Sequence, residues 1–383
     1  MAQTICIDAR MLGFTGIGTY LLNLVEGIAS IDNEFQFDVL CTKQCSLRGL
    51  LPVKFRFVPA TAPIYGVREQ CEIPWLARGA DLMHCPHYNV PRFYRGQFVV
   101  TIHDLTHLIH REFLPNRGAF LYARFMLKSA ARRATRIITV SNYSKASIQE
   151  HFHLPGDKIR VIHNALPVAC SPSETIPNRT RLREMGIHFP YLLFVGLLKP
   201  HKNVQGLIQA YASMAPELRD AYQLVIAGAK TDFYAQLRRS ITRLHLTQRV
   251  VFTGYVSDSD LQTLYSGATL FVLPSFNEGF GLPVLEAMAH GLPVVVSNTS
   301  SLPEVAGRAG VLVDPNDLRA MATVIQQILL DEPLRQRLAR LSRERARCFS
   351  TREFALQHLK VYREALNSET SHPASISMSP AWR

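Results

Sequence analysis

The chain has 383 residues, an apolar fraction of 47%, a formal net charge of +12 and a pI of about 9.5. Its length is comfortable for two domains and long for one core, its composition is that of a globular protein, and no apolar run reaches the roughly 18 residues of a membrane-spanning helix. The positive charge points to nucleic acid, an anionic membrane or an anionic small ligand; without a zinc-finger or RNP-type signature, or interleaved basic and aromatic residues, nucleic acid is set aside.

The opening MAQTICIDAR has no basic stretch leading into an apolar core, so a cytoplasmic location is expected. ICIDARMLGFTGIGTYLLNLVEGIA reads as strand, glycine loop and helix. Ile5 and Ile7 anchor the strand, Gly13, Gly16 and Gly18 loosen the turn, and Leu21, Leu22, Leu24, Val25 and Ile28 recur at helical spacing. Strand-like runs follow at residues 35–40, 55–58, 98–102 and 137–140. His84 and His87, in HCPHYNVP, read as loop residues that pack and hydrogen-bond. VVTIHDLTHLIH (residues 99–110) carries His103, His107 and His110, but no carboxylate or cysteine set completes a metal site there, so none is expected. Residues 117–136, RGAFLYARFMLKSAARRATR, form an amphipathic helix with Arg124, Lys128, Arg132, Arg133 and Arg136 among Phe120, Leu121, Phe125 and Leu127. Such a helix can lie on an anionic bilayer; the plainer alternative turns its apolar side to a sheet and its arginines to water.

Residues 160–166 read as the last strand of a first domain, and 167–188 as a Pro-containing connection with a leading helix. The strand–helix alternation restarts at Tyr191, with strand-like runs YLLFVGLL, LVIAGA, VVFTGYV, LFVLPS and PVVVSN. This alternation makes a parallel sheet covered by helices, with ligands at the carboxyl ends of its strands. Residues 319–367 are helical by pattern, and 368–383 are rich in Ser and Pro and expected to be disordered. Seven scattered cysteines with no Cys-x-x-Cys pair argue for reduced, mostly buried thiols.

Two loops of the second half carry chemistry. GLLKPHKN (196–203) follows a strand and gathers Lys199, His201 and Lys202 near a helix start. Two ammonium groups near a helix start make an anion clamp; the plainer alternative is a solvated basic loop. PSFNEGFGLPVLEAMAHG (274–291) holds Glu278 and Glu286 eight positions apart, the first in a glycine-rich turn and the second in a short helix, with Pro283 as its first residue and Gly291 as its stop. Free N–H groups and the dipole at that helix start suit a phosphate. Carboxylates on either side repel a phosphate unless they face hydroxyls, so the pattern describes a ligand with hydroxyls at both ends, such as a nucleotide-sugar. The plainer alternative is a solvated loop Glu and a helix-start Glu favoured by the dipole.

The motif EGFGLPVLE and the text after it, GLPVVVSNTSSLPEVAGRAGVLVDPND (291–317), resemble the signature of glycosyltransferase family 4, and the resemblance runs over roughly residues 3–365. It implies the α/β fold called GT-B, two Rossmann-like doubly wound domains facing a cleft. Residues 1–168 would form the acceptor side, 169–350 the nucleotide-sugar-binding domain, 351–367 a closing helix that crosses back to the first domain, and 368–383 a tail.

The activity implied is hexosyl transfer with retention at the anomeric carbon, with no cofactor or metal. Catalytic residues would be Glu278, His103 and Lys202; Gly16, Lys199, Lys202, Val256, Phe280, Gly281, Leu282 and Glu286 would line the donor. Glu286 would bind ribose hydroxyls. Glu278 would bind the sugar and stabilise an oxocarbenium-like transition state. The backbone N–H groups of Phe280, Gly281 and Leu282 would hold sugar and phosphate. His103 would face the sugar, and Val256 would hold the base through its backbone. Gly16, or as second choice Gly18, would let bare backbone approach the phosphate. Where relatives often carry arginine after the glycine or beside the lysine, this chain has Leu197 and His201, and Lys199 is the substitute. The freed phosphate is one acceptor for the hydroxyl proton; a carboxylate nucleophile is the alternative scheme.

The sequence is also similar to bacterial mannosyl- and rhamnosyltransferases of surface polysaccharide assembly, such as lipopolysaccharide O-antigen. That implies a GDP-mannose-type donor and a glycan acceptor on a lipid carrier, at the inner face of the plasma membrane. A sugar-nucleotide 2-epimerase on the same fold and a non-catalytic basic binding protein are the alternatives.

Overall fold

A computed structural model describes residues 2–42, 52–109, 117–167, 177–188 and 190–368. Among the described residues the chain builds two sheets, both parallel throughout. The first contains β1 (Thr4–Asp8), β2 (Gln36–Cys41), β3 (Phe55–Pro59), β4 (Leu82–Cys85), β5 (Phe98–Thr101), β6 (Arg136–Thr139) and β7 (Ile159–Val161), in the order β3-β2-β1-β4-β5-β6-β7. The second contains β8 (Tyr191–Val195), β9 (Gln223–Ala227), β10 (Val250–Gly254), β11 (Leu270–Leu273), β12 (Val294–Ser297) and β13 (Gly310–Val313), in the order β10-β9-β8-β11-β12-β13. Helices cover both faces, which is why β11 and β12 are buried along their whole length. This is the doubly wound, two-domain GT-B arrangement.

The first helix, Thr15–Ala29, shows how pattern becomes packing. Leu21, Leu24, Val25 and Ile28 are fully buried on one face, each contributing about 1.5–3 kcal/mol by leaving water. The last helix, Thr351–Asn367, lies against it and buries Phe354, Ala355, Leu359, Val361, Tyr362 and Ala365 in the first domain's core. Gly27 permits the crossing: a Cβ there would stand 3.0 Å from Ala355 Cβ and Thr351 Cγ2. Beyond the second sheet the chain thus returns to pack on the first.

Several expectations are corrected. The strand expected over 160–166 is only Ile159–Val161. His84 belongs to β4, fully buried, rather than to a loop. The basic helix is Arg117–Arg133; Arg136 opens β6 and pairs with Glu364 of the last helix at 3.9 Å. Arg133 is half-buried over the Phe98 ring, donating to the Tyr94 carbonyl, so it is not part of a free cationic face. His110, the segment 168–176 with the expected domain boundary, and the tail beyond Ser368 lie outside the described residues.

The last helix carries His358, buried with His84 of β4. Burial lowers both imidazole pKa values, that of His358 to about 4 and that of His84 well below its ordinary value. An unfolded histidine takes up its proton near pH ~6.5. Below that the unfolded chain binds protons that the native chain refuses, so stability rises with pH across the window from about 4 to about 6.5 and is lost as pH falls through it. Urea titrations should give a lower midpoint at pH 5 than at pH 7.5, and His358→Gln should flatten that difference.

Candidate active site

The second sheet reverses its winding between β8 and β11, which opens a crevice at their carboxyl ends. The loop after β8 tightens into a 3₁₀ turn, Pro200–Lys202, and Asn203 then caps the next helix in a left-handed conformation, φ 54°. Asn tolerates that conformation because its short polar side chain bonds locally; here it accepts from the Gly206 N–H at 3.2 Å. The turn aims Lys202 at the loop after β11. Its ammonium donates to both carboxylate oxygens of Glu278, each at 2.6 Å. Ser275 donates to Glu278 Oε1 at 2.8 Å, and the Glu278 N–H donates to Ser300 Oγ at 3.2 Å. Lys199 starts the same turn; its carbonyl accepts the Lys202 N–H at 3.0 Å.

Beyond Glu278 the chain enters helix Leu282–Ala289, with Pro283 inside its first turn and Gly291 just past its end. Gly281 precedes it at φ +100°, and a Cβ there would lie 2.6 Å from Leu302 Cδ2, so only glycine fits. No side chain caps this helix start, which leaves its N–H groups and dipole for a ligand anion. Phe280 is buried, its ring 5.8 Å from Phe349 and 6.1 Å from His163. Glu286 is half-buried and accepts from the Tyr265 hydroxyl at 2.8 Å. Burial pushes its carboxyl pKa up, and the Tyr265 hydrogen bond opposes that shift.

The first domain reaches this loop directly. His103 follows β5 and donates Nε2–H to the Pro86 carbonyl at 2.9 Å. Burial lowers its pKa; the neutral ring therefore keeps Nδ1 as an acceptor. A Cβ on Gly279 would stand 2.9 Å from both the His103 carbonyl and Asp104 Oδ2. Glycine is what allows the domains to approach so closely here. Ser141 donates to the Gly279 carbonyl at 2.8 Å, and Ser144 to the His103 carbonyl at 3.0 Å. Asn277 bonds Thr106 at 3.2 Å and accepts from Tyr143 at 3.0 Å. Glu304 accepts from the Asn142 N–H at 2.9 Å, from its side chain at 2.6 Å and from His163 at 2.6 Å.

The structure therefore gathers Lys202, Glu278, Phe280, Gly281 and Leu282 in one loop cluster, with His103 abutting it. Gly16 faces it too: a Cβ there would come 4.0 Å from Leu282 Cδ1. At Gly18 the space is set by its own turn, where a Cβ would strike the Leu12 carbonyl at 2.3 Å. Val256 follows the edge strand β10 and packs on the second domain's core. Ser141, Asn142, Ser144, Asn277 and Glu304 were missed from the sequence. Ser141 was legible only as a helix N-cap, accepting from the Ser144 N–H at 3.0 Å; its partner Gly279 is 138 positions away. Among the described residues no group of His, Cys, Asp and Glu is arranged to hold a metal ion.

The chain matches the family models described as "Glycosyl transferases group 1" over residues 184–345 and "Glycosyltransferase Family 4" over residues 14–169. It is 33% identical over 375 residues to O-antigen chain mannosyltransferase B of Escherichia coli, covering 91% of this chain and 96% of that protein. It is 31% identical over 242 residues to O-antigen chain mannosyltransferase RfbU of Salmonella typhimurium, covering 63% of each. Its fold is similar to sucrose-phosphate synthase from Thermosynechococcus elongatus, with TM-score 0.74, 22% identity and coverage of 96% and 100% of the two chains. Anabaena HepE, solved in complex with UDP-glucose, matches with TM-score 0.75, 19% identity and coverage of 94% and 99%. With the paired loops, the uncapped helix start and these likenesses in hand, the chain belongs to glycosyltransferase family 4 and is a glycosyltransferase.

Proposed function

We propose that this enzyme transfers a mannosyl group, with retention, from a GDP-mannose-type donor to a lipid-linked glycan during O-antigen synthesis. The observation that carries the donor site is the Lys202–Glu278 pair beside the uncapped start of helix Leu282–Ala289. The choice of mannose and of O-antigen rests on the relatives' names.

In this reading the diphosphate takes Lys202 from Glu278. The ammonium and the helix start hold the negative charge that develops as the bond from the anomeric carbon to the phosphate oxygen breaks. Glu278, released, binds sugar hydroxyls and stabilises the positive charge growing on the ring. His103 accepts a sugar hydroxyl at Nδ1. The acceptor hydroxyl bonds to the anomeric carbon from the face that the phosphate leaves, and its proton passes to the freed phosphate oxygen. Glu286 holds the ribose, Gly16 and the N–H groups of Phe280, Gly281 and Leu282 approach the phosphates, Lys199 supplies a second cation, and Val256 supports the base.

The same reading docks the first domain on the anionic inner leaflet of the plasma membrane. Helix Arg117–Arg133 turns Leu121 and Phe125 outward, 61% and 54% exposed, beside exposed Arg124, Lys128 and Arg132, and Phe93 of a nearby loop is 58% exposed. Among the described residues no helix is long and apolar enough to cross a membrane. Apolar side chains ringed by cations match an interfacial contact.

Lys202→Ala should lower turnover roughly 10²-fold or more, the cost of one transition-state electrostatic contact; turnover like that of the wild type would remove Lys202 from the clamp. Calorimetric titration with GDP and UDP, beside transfer assays, separates the carboxylates. Glu286→Gln should weaken GDP binding. Glu278→Gln should leave it equal or tighter, because Lys202 is freed, while transfer slows. Equal loss of GDP binding in both would make the pair structural, and UDP binding tighter than GDP would overturn the donor. Reversal of Arg124 and Arg132 to Glu should reduce sedimentation with anionic vesicles about tenfold or more, given about 1 kcal/mol per basic residue, without changing GDP affinity. Unchanged sedimentation would make the helix an ordinary solvated one.

A further inference from the structure

Behind His103 lies a chain of buried polar side chains whose proton order can be deduced. His358 Nδ1 is 2.7 Å from the Phe354 carbonyl. A carbonyl only accepts, so Nδ1 carries the proton and, in a neutral ring, Nε2 is bare. Burial keeps that ring neutral. Tyr20, 2.7 Å from His358 Nε2, must donate to it. The Tyr20 oxygen therefore accepts from Thr101, 2.7 Å away. Thr101, having given its proton, accepts from His84 Nε2–H at 2.9 Å. His84 Nδ1 is then bare and accepts from the Tyr362 hydroxyl at 2.7 Å. Every donor has one acceptor, and the order runs one way. It begins and ends on the last helix, passing through β4, β5 and the first helix on the way.

The ring of Tyr20, fixed by these bonds, meets His103 edge to face, with centroids 4.9 Å apart and planes at 86°. His103 is thereby held between the Pro86 carbonyl, which takes its Nε2–H at 2.9 Å, and the Tyr20 ring. We propose that Tyr20 and His358 are positioning residues: the last helix, through His358, sets the ring of Tyr20, and Tyr20 sets the imidazole of His103 with Nδ1 open to a hydroxyl of the donor sugar. Docking of the helix that crosses back from the second domain and the aim of a donor-facing side chain in the first are then one structural event. The inference rests on the reading of His103 as a sugar-facing residue.

A double-mutant cycle on transfer tests it, because only residues that act through each other depart from additivity. Tyr20→Leu should lower kcat roughly tenfold, the order expected for a small misplacement of an active-site group, with GDP affinity unchanged. In a His103→Ala background the same change should cost less than about twofold. A tenfold cost in both backgrounds overturns the proposal. His103→Ala with the turnover of the wild type instead removes the role given to His103, a separate failure visible in the same cycle. If Tyr20→Leu does not fold, Tyr20→Phe and His358→Gln remain, read by long-range ¹H–¹⁵N spectra of the imidazoles. The wild type should show His103 protonated at Nε2 only. Tyr20→Phe, which loses the bond to His358, should move or broaden the His103 signals, and His358→Gln, whose amide oxygen can accept from Tyr20, should largely keep them. His103 signals unmoved in Tyr20→Phe overturn the proposal.

Discussion

An ammonium and a carboxylate 2.6 Å apart, in a crevice where their side chains are 18% and 9% exposed, cancel each other's charge. Each has left much of its water, and the pair offsets that loss only while both partners stay in place. The other features of the site depend on this constraint. Lys202 is aimed by a tight turn and a left-handed Asn203; Glu278 is braced by Ser275 and Ser300. Lys202 and Glu278 thus hold each other. In the proposed reading a nucleotide-sugar parts this pair, because its diphosphate replaces one anionic partner of Lys202 with another and its sugar offers hydroxyls to the carboxylate it displaces. A neutral sugar could not make that exchange.

The second constraint is steric. The Glu278 loop belongs to the second sheet, yet its shape is set by the first domain. Gly279 has no Cβ because the His103 carbonyl and Asp104 occupy that space, and its carbonyl is held by Ser141. Asn277 and Glu304 extend the grip to Thr106, Tyr143, Asn142 and His163. The Glu278 loop therefore takes its described geometry from the meeting of the two domains. A change in their separation must be felt first at this loop, because packed interfaces shift between discrete arrangements rather than deform gradually.

The last helix adds a covalent tie. It leaves the second domain, buries an apolar face on the first helix across Gly27, and inserts His358 and Tyr362 into the first domain's core. Buried polar groups of this kind are tolerated when each is hydrogen-bonded and costly when one is not. A fully ordered chain of donors and acceptors satisfies that condition and makes the docked position of the helix specific as well as stable.

The sequence by itself determined what periodicity and local chemistry can carry. Leu21, Leu24, Val25 and Ile28 announced the first helix; the run 270–273 followed by glycines and Pro283 announced strand, loop and helix, and the structure has each. The loops that bring Lys202, Glu278 and the start of helix Leu282–Ala289 together were legible for the same reason, since these residues are close in sequence to the strands that carry them. Less visible were short elements without a distinctive run. His84 looked like a loop residue because β4 is only four residues long, and the strand at 160–166 was overextended because, past the Ile162 N–H that still donates to Thr139 of β6, buried Ala165 packs outside the sheet. Only the tertiary structure decided which distant residues meet: Ser141 and Gly279, Asn142 and His163 with Glu304, and His358 and Tyr20. Those pairs are separated by 138 to 338 positions. Such contacts leave no local pattern, because a hydrogen bond across a domain interface constrains the distance between two side chains in space and nothing about the residues that flank them in the chain.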